Sequence, residues 1–432
     1  MPTDFFSPWA GQIQYRTPLG FNVAARYNKS MRISEKKKIA LVLSGGGLKA
    51  AAYHLGVCLA LREKGFKFAG GSAKDVKLHY DDDKMTIKVY VGASAGAVIS
   101  TFLASGFSID SIIDAFEKGS VSDLTQFIRR KRQFHSRLKP LTYLDIFQLN
   151  GGHFISLIPN VWRRKSIITG GIEALIKSGF KINGLFTAKG IERYLRKNVV
   201  SDNNFANLGV ELYIIGTQLN HSRKVVFGNF KESKKDKNIY YANFAKISEA
   251  VAASTSLPPV FSPFKIKNED GKDFHFFDGE IRDTLSTHVA ADHGADLVIS
   301  SHSWQPYHYT ERHGSLHEYG IPVIVNQAIY QVVEQKIQKH IENQQQISSI
   351  MDAVDGYFKQ TELPNEHREK LLDILAKRVN YNPGVDYLYI HPNPSDSDMF
   401  FVDHFSLNPD ILAKIVNIGF RSALQTLRKL DM

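Results

Sequence analysis

Residues 89–99 read Val89-Tyr90-Val91-Gly92-Ala93-Ser94-Ala95-Gly96-Ala97-Val98-Ile99, and this stretch decides the fold. An apolar, β-branched run leads into Gly-x-Ser-x-Gly, and a small, apolar helical pattern follows it. The pattern predicts a strand, a sharp turn and a helix, with Ser94 at the tip of the turn. Such a turn needs very small neighbours, which Gly92 and Gly96 supply. The helix directs its free N–H groups and positive dipole end at the turn, so we interpret Ser94 as a nucleophile. Because a bare Gly-x-Ser-x-Gly is common by chance, a turn that only joins two core elements is the alternative.

A run of glycines follows an earlier predicted strand. Residues 39–44 are almost wholly apolar, which indicates a buried parallel strand, and a helical pattern begins at Leu48. Between them lie Gly45, Gly46 and Gly47, whose backbone N–H groups can converge on an anionic oxygen without obstruction by side chains. The spacing fits neither the phosphate loop nor the dinucleotide-binding motif. An oxyanion hole is the better interpretation of this loop.

A carboxylate ends a third predicted strand. The segment 274–279 reads Phe-His-Phe-Phe-Asp-Gly, so Asp278 stands where an apolar run meets Gly279. The Asp270-Gly271 pair before it is a strong hairpin signal. A partly desolvated Asp at this position can accept the proton of a serine directly. Taken alone, Asp-Gly at a strand end is also an ordinary turn.

Together, these three motifs and their order resemble the patatin-like phospholipase family. The resemblance extends to residues 253–261, a small-residue helix end followed by a proline loop, and covers the chain from about Ile39 to Ser300. It implies a Ser–Asp dyad without a catalytic histidine, metal or cofactor, and a reaction that cleaves fatty-acyl esters of phospholipids through an acyl-enzyme. The site residues that it implies are the nucleophile Ser94, its base Asp278, the oxyanion loop Gly45, Gly46 and Gly47 with Lys49 near it, the elbow glycines Gly92 and Gly96, and Gly279 of the base motif.

The chain also departs from the family pattern. Glu280 stands where a small residue is usual, and its charge together with that of Asp283 is expected to raise the pKa of Asp278. Two other functions remain open. An α/β-hydrolase-type esterase would use a Ser-Asp-His triad, and the candidate histidines His288, His293, His302 and His308 all lie after Asp278 in the sequence. A non-catalytic lipid-binding protein on the same fold is the second alternative.

Strands that alternate with helices predict an α/β fold, a three-layer sandwich with a mostly parallel central sheet flanked by helices. We expect an N-terminal lead-in over 1–38, a catalytic domain over 39–310 and a mainly helical region over 311–432 that packs on the same core. The catalytic domain is expected to include a helical cap insertion at about 107–180. In the C-terminal region, residues 324–354 predict a long amphipathic helix. This helix packs on its own sheet or forms the seam of a homodimer.

The composition and charge of the chain limit the classes of partner that it is expected to bind. The 432 residues carry a net charge of +11, with 43% hydrophobic and 22% charged residues, as in an ordinary globular protein. No nucleic-acid-binding motif accompanies the charge, so an anionic membrane surface is the better partner. Basic clusters at 129–132 and 163–165, beside aromatic residues, suggest where the cap would contact the membrane surface.

One cysteine, Cys58, excludes an internal disulfide. With no apolar run of membrane-spanning length and no Sec signal, a cytoplasmic protein, peripheral at membranes, is expected; export by a non-Sec route stays open.

Overall fold

A computed structural model describes residues 33–80, 84–116, 138–150, 183–235, 238–361, 364–379 and 381–430. The strands are β1 (Ile39–Leu43), β2 (Lys67–Phe68), β3 (Thr86–Ala93), β4 (Gln148–Leu149), β5 (Phe186–Thr187), β6 (Glu211–Gln218), β7 (Arg223–Phe227), β8 (Lys234–Lys235), β9 (Ile239–Ala242), β10 (Phe264–Lys267), β11 (Asp273–Asp278), β12 (Leu297–Ser301) and β13 (Asp386–Ile390). The α-helices are α1 (Gly47–Glu63), α2 (Ala73–Tyr80), α3 (Ala95–Ala104), α4 (Ile109–Phe116), α5 (Tyr143–Ile146), α6 (Lys189–Asn198), α7 (Ile247–Ser254), α8 (Thr287–Asp292), α9 (Ile321–Gln360), α10 (Asn365–Val379), α11 (Asp398–Phe401) and α12 (Pro409–Arg428).

An 11-stranded sheet forms the centre of the described residues. Its main order is β13-β12-β1-β3-β6-β7-β9-β8, and the strands from β13 to β6 run parallel to one another. Residues of β1 alternate between the two faces of the sheet: Leu41 packs in one apolar cluster and Val42 in another. Helices α1, α3 and α12 supply the first cluster and α8 contributes to the second. The prediction of an α/β sandwich with a mostly parallel sheet is therefore confirmed.

The C-terminal region contributes both to the sheet and to the helical layer. Strand β13 pairs in parallel with β12, and α12 crosses α1 at very close range. This approach depends on two glycines, because a Cβ at Gly56 would overlap the backbone of Val416 and one at Gly419 would overlap the backbone of Tyr53. The long helix α9 extends beyond the predicted 324–354 at both ends. One side of α9 packs through Tyr330 and Ile337, whereas Val325, Ile329 and Val332 on it remain exposed.

Two local expectations have different outcomes. The polar sequence of residues 74–85 predicts a loop or an edge hairpin. In the structure, α2 instead occupies 73–80, because Asp75 accepts hydrogen bonds from the N–H and hydroxyl of Ser72 at the start of the helix. The predicted cap insertion is described only at α4 and at residues 138–150, and the basic clusters at 129–132 and 163–165 lie outside the described residues.

Within the residues described, none of the helices combines the length and the apolar character needed to cross a membrane.

Candidate active site

The ends of β3 and β11 meet on the same edge of β6. Strand β3 pairs with β6 up to Ala93, opposite Ile215, and the chain turns away at Ser94. Strand β7 takes the other edge of β6 from Ile214 to Gln218, so β11 enters on the edge that β3 has left. It runs antiparallel to β6 and ends with Asp278 opposite Gly216, one residue beyond Ile215. The sheet register therefore places Ser94 and Asp278 side by side.

The backbone at Ser94 is strained in the way that the motif predicts. Ser94 has a φ of 51° and a ψ of −120°, a region that side-chain-bearing residues rarely adopt. A Cβ at Gly92 would lie 2.5 Å from the carbonyl oxygen of Gly96, and one at Gly96 would overlap the carbonyl of Leu43. Only glycine fits at either position. The strained turn is held by Ser254, whose Oγ accepts the Ser94 N–H at 2.8 Å and donates to the Ile215 carbonyl at 2.5 Å.

Asp278 is a buried carboxyl that the Ser94 hydroxyl contacts. Only 1% of Asp278 is exposed. Burial raises the pKa of Asp278 to about 7, against the opposing effect of hydrogen bonds from the Ser94 side chain and the Glu280 N–H. The Glu280 N–H donates to Asp278 Oδ1 at 2.9 Å. Burial, rather than the expected charges of Glu280 and Asp283, is thus what raises this pKa, and Asp283 itself is paired with Lys224.

The three glycines of the loop have different environments. The N–H of Gly45 donates to Glu280 Oε1 at 2.6 Å, so a side chain of the protein already occupies this donor. The hydrogen bonds of the described residues include none donated by the N–H groups of Gly46 or Gly47. Gly47 also has a φ of 71°, and a Cβ there would lie 2.5 Å from the carbonyl oxygen of His404. Gly46 and Gly47 therefore offer the free donors, with Gly47 on the surface of the cleft beside Ser94.

Glu280 connects the base to the glycine loop. Its N–H binds Asp278 and its carboxyl binds Gly45, while Ser94 Cβ lies only 2.7 Å from the position that a Gly45 Cβ would take. Burial and then the charge of Asp278 raise the pKa of Glu280 well above its ordinary value. In the sequence, Glu280 is visible only as a charged residue that departs from the family pattern. Its contact with Gly45 depends on two strand ends that are far apart in the sequence.

Lys49 extends away from the glycine loop. Its Nζ donates to the Met399 carbonyl at 2.6 Å and to Tyr330 Oη at 2.7 Å, and only 2% of the residue is exposed. Burial lowers the pKa of Lys49 to about 7, although the charge of Asp403 acts in the opposite direction. The side chain expected near the oxyanion therefore connects the start of α1 to the C-terminal region.

The role of Lys49 leads to a stability prediction. We expect Lys49→Met to lower the free energy of unfolding by about 1–3 kcal/mol, because the Met399 carbonyl and Tyr330 hydroxyl lose a buried donor. Lys77→Met, on an exposed position of α2, is the matched control and should change stability by less than about 0.5 kcal/mol. Denaturant unfolding of both variants measures the difference. Equal stability of the two variants would show that the contacts of Lys49 contribute nothing net.

Of the four candidate histidines named above, three contact groups other than Ser94 and one is exposed. His288 Nε2 lies 2.6 Å from Lys224 Nζ, and His293 Nδ1 lies 2.7 Å from the Val289 carbonyl oxygen. The ring of His302 stacks on His391, and His308 is exposed. His54, which precedes the site in the sequence, is fully buried and bridges Ser301 Oγ and the Ser44 carbonyl at 2.9 Å each. None of these contacts supplies the third member of a triad.

An apolar cleft opens above Ser94. The space between its walls, counted to the mouth, is about 610 Å³. Its walls come from α1, α3, α4, α5, α6 and the loops beside them. The lining residues are Gly47, Leu48, Ala51, Ser94, Ala95, Val98, Phe102, Phe116, Leu141, Ile146, Ile191, Tyr194, Leu195, Thr255, Phe261 and Phe405. None of these described residues has a charged side chain, so the part of the cleft that they line suits the hydrocarbon part of a ligand.

The fold places the chain among α/β proteins, in which ligands bind at the carboxyl ends of parallel strands; here the glycine loop and Ser94 follow such ends, those of β1 and β3. In a comparison with known families, residues 41–291 match the patatin-like phospholipase family. The match covers more than half of the 432 residues, and the chain belongs to this family of lipid hydrolases.

Solved structures add little to this assignment. Seven chains match, among them that of full-length ExoU in complex with full-length SpcU, from the type III secretion system of Pseudomonas aeruginosa. The identity is 22%, the match covers 52% of this chain and 39% of that chain, and the TM-score is 0.20. This chain thus spans about two fifths of the solved one, and so low a TM-score carries no argument about fold or function. No curated protein matches the chain.

Proposed function

We propose that this protein is a serine acyl hydrolase that cleaves fatty-acyl esters of phospholipids through a Ser94–Asp278 dyad. The observation that carries the proposal is the meeting of Ser94 with the buried Asp278 below an apolar cleft. Membership of the patatin-like phospholipase family supports the substrate class. Contact with an anionic membrane surface and assembly into a homodimer stay predictions.

The proposed reaction uses each group in turn. Ser94 Oγ attacks the ester carbonyl carbon while the Asp278 carboxylate takes the serine proton. The N–H groups of Gly46 and Gly47 stabilise the resulting oxyanion, and Glu280 holds the loop through Gly45. The tetrahedral intermediate expels the alcohol, which receives the proton from Asp278, and leaves an acyl-Ser94 ester. Asp278 then takes a proton from water, which attacks the acyl carbonyl carbon. Collapse of the second tetrahedral intermediate breaks the bond to Ser94 Oγ and releases the fatty acid, and Asp278 returns the proton to Ser94 Oγ.

Lipid hydrolysis and active-serine labelling test the proposal together. The protein is incubated with mixed phospholipid vesicles, neutral glycerides and p-nitrophenyl esters, and the released fatty acid is measured. In parallel, a fluorophosphonate probe is applied and the modified peptide is identified by mass spectrometry. We expect fatty acid release from phospholipid and modification at Ser94. Labelling of another residue would refute the nucleophile, and binding of lipid without hydrolysis or labelling would favour the non-catalytic alternative.

The buried base predicts a pH dependence. Because burial raises the pKa of Asp278 to about 7 and only its carboxylate accepts the serine proton, kcat/KM should fall as the pH drops below about 7. Because burial raises the pKa of Glu280 well above its ordinary value, we expect this carboxyl to be protonated where Asp278 titrates. Glu280→Gln, which keeps an oxygen for the Gly45 N–H, should then leave the acid limb in place. Glu280→Ala loses the contact to Gly45 and should lower kcat/KM by up to about 10²-fold.

Profiles of kcat/KM against pH for the wild type and both variants measure these effects. A shift of the acid limb by about one pH unit or more in Glu280→Gln would show that Glu280 is charged while Asp278 titrates. A flat profile across neutral pH in the wild type would contradict the assignment of Asp278 as the base.

A further inference from the structure

A second apolar space adjoins the cleft at Phe116. It is lined by Ala52, Leu55, Ile113, Phe116, Leu412 and Val416, all apolar, and measures about 250 Å³ by the same measure as the cleft. We call it the rear recess. The cleft contacts α1 at Leu48 and Ala51, and the rear recess contacts the same helix at Ala52 and Leu55. The two spaces therefore follow one another along α1.

Among the residues that the structure describes, Phe116 is the one that lines both spaces. It is the last residue of α4 and only 6% exposed. Its ring is held edge-on against Phe102, with ring centroids 6.5 Å apart and planes at 75°. Phe102 itself is fully buried in the cleft wall, so the ring of Phe116 packs against a side chain that is held in place. The aromatic ring of Phe116 thus separates the cleft from the rear recess.

We propose that Phe116 sets the length of acyl chain that this protein accepts, by closing the rear end of the cleft. The proposal rests on the proposed function, since it assumes that the cleft above Ser94 holds the acyl chain of the substrate. Each further methylene buried in an apolar site strengthens binding about fourfold, as long as space remains. An acyl chain that already reaches Phe116 gains no further affinity from additional methylenes. Removal of the ring joins the two spaces and lets the gain continue into the rear recess.

Fatty-acid binding to a Ser94→Ala protein tests this without any need for catalysis. Saturated fatty acids from decanoic to docosanoic acid compete with fluorescent cis-parinaric acid, and the affinity is plotted against chain length. We expect the affinity to rise and then level off, and Phe116→Ala to move the plateau to longer chains, with about a fourfold gain for each newly buried methylene. Phe107→Ala removes the same ring from a neighbour of Phe102 that lines neither space, and should leave the plateau in place.

Filling the rear recess provides the reverse test. Ala52 lines the recess and not the cleft, so Ala52→Leu in the Phe116→Ala background should return the plateau to its original length. If Phe116→Ala does not fold, Phe116→Leu, which keeps an apolar group, should give a smaller shift in the same direction. An unchanged plateau in the folded variant, or a shift that Ala52→Leu does not reverse, overturns the inference. Wild-type hydrolysis of phospholipid separates the two proposals: hydrolysis without a shift refutes only the role of Phe116, and a shift without hydrolysis refutes only the enzymatic function.

Discussion

Ser94→Ala is expected to lower kcat for ester hydrolysis by at least about 10⁴-fold, because removal of a serine nucleophile leaves only the contributions of binding and oxyanion stabilisation. The strained backbone at Ser94 is imposed by Gly92, Gly96 and the hydrogen bond to Ser254, none of which the substitution alters. The fold should therefore survive, and fluorophosphonate labelling should disappear together with activity.

Ser100→Ala provides the matched control for this experiment. Ser100 is a fully buried serine in α3, the helix that follows Ser94, and its hydroxyl donates to the Val91 carbonyl at 3.5 Å. It should keep both hydrolysis and labelling close to the wild-type values. If Ser94→Ala retained more than about a hundredth of the wild-type kcat while folded, another residue would have to carry the acyl group.

Asp278→Asn is expected to lower kcat by about 10³- to 10⁴-fold. Asparagine has the size of aspartate and keeps an oxygen to accept the Glu280 N–H, but it cannot take the proton of Ser94. The acid limb near pH 7 should disappear from the residual activity, because the group that titrates there has been removed. Initial rates across the pH range and denaturant unfolding together distinguish loss of the base from loss of the fold.

Asp273→Asn is the control from the same strand. Asp273 begins β11, at an exposed end where it pairs with Lys265, whereas Asp278 ends the strand in the protein interior. Replacement of the exposed carboxylate should leave kcat and its pH profile unchanged. If both variants lost activity equally, the effect would come from the hairpin as a whole. Retention of full activity by Asp278→Asn would exclude the dyad.

The central strands, the serine turn and the hairpin of the base could be predicted from the sequence because their signals are local. An almost wholly apolar run, a glycine that breaks a strand and an Asp-Gly turn each depend on a few adjacent residues. The start of the helix at 73–80 also has a local signal, Asp75, but the polar composition of this segment predicted a loop. The run of three glycines likewise predicted an oxyanion loop, but the sequence does not show which N–H groups of that loop are free.

The remaining features depend on contacts between distant parts of the chain. The direction of Lys49 is set by Tyr330 and Met399, which belong to the C-terminal region and carry no motif. The occupation of Gly45 by Glu280 follows from the register of β11 on β6, which no property of either segment reveals by itself. The homodimer seam on α9 and the basic face of the cap are not tested by these contacts and stay predictions.

The way β6 brings two strand ends together has a consequence for how this family can diversify. Alignment of the proposed nucleophile with its proposed base is set by hydrogen-bonded ladders at Ile215 and Gly216, and is independent of how much polypeptide joins the two strands. Whole modules can therefore be inserted, lengthened or exchanged between residues 104 and 211 without disturbing the reacting atoms. New lipid selectivity can then arise by remodelling of the intervening segments, while the chemical centre is inherited unchanged.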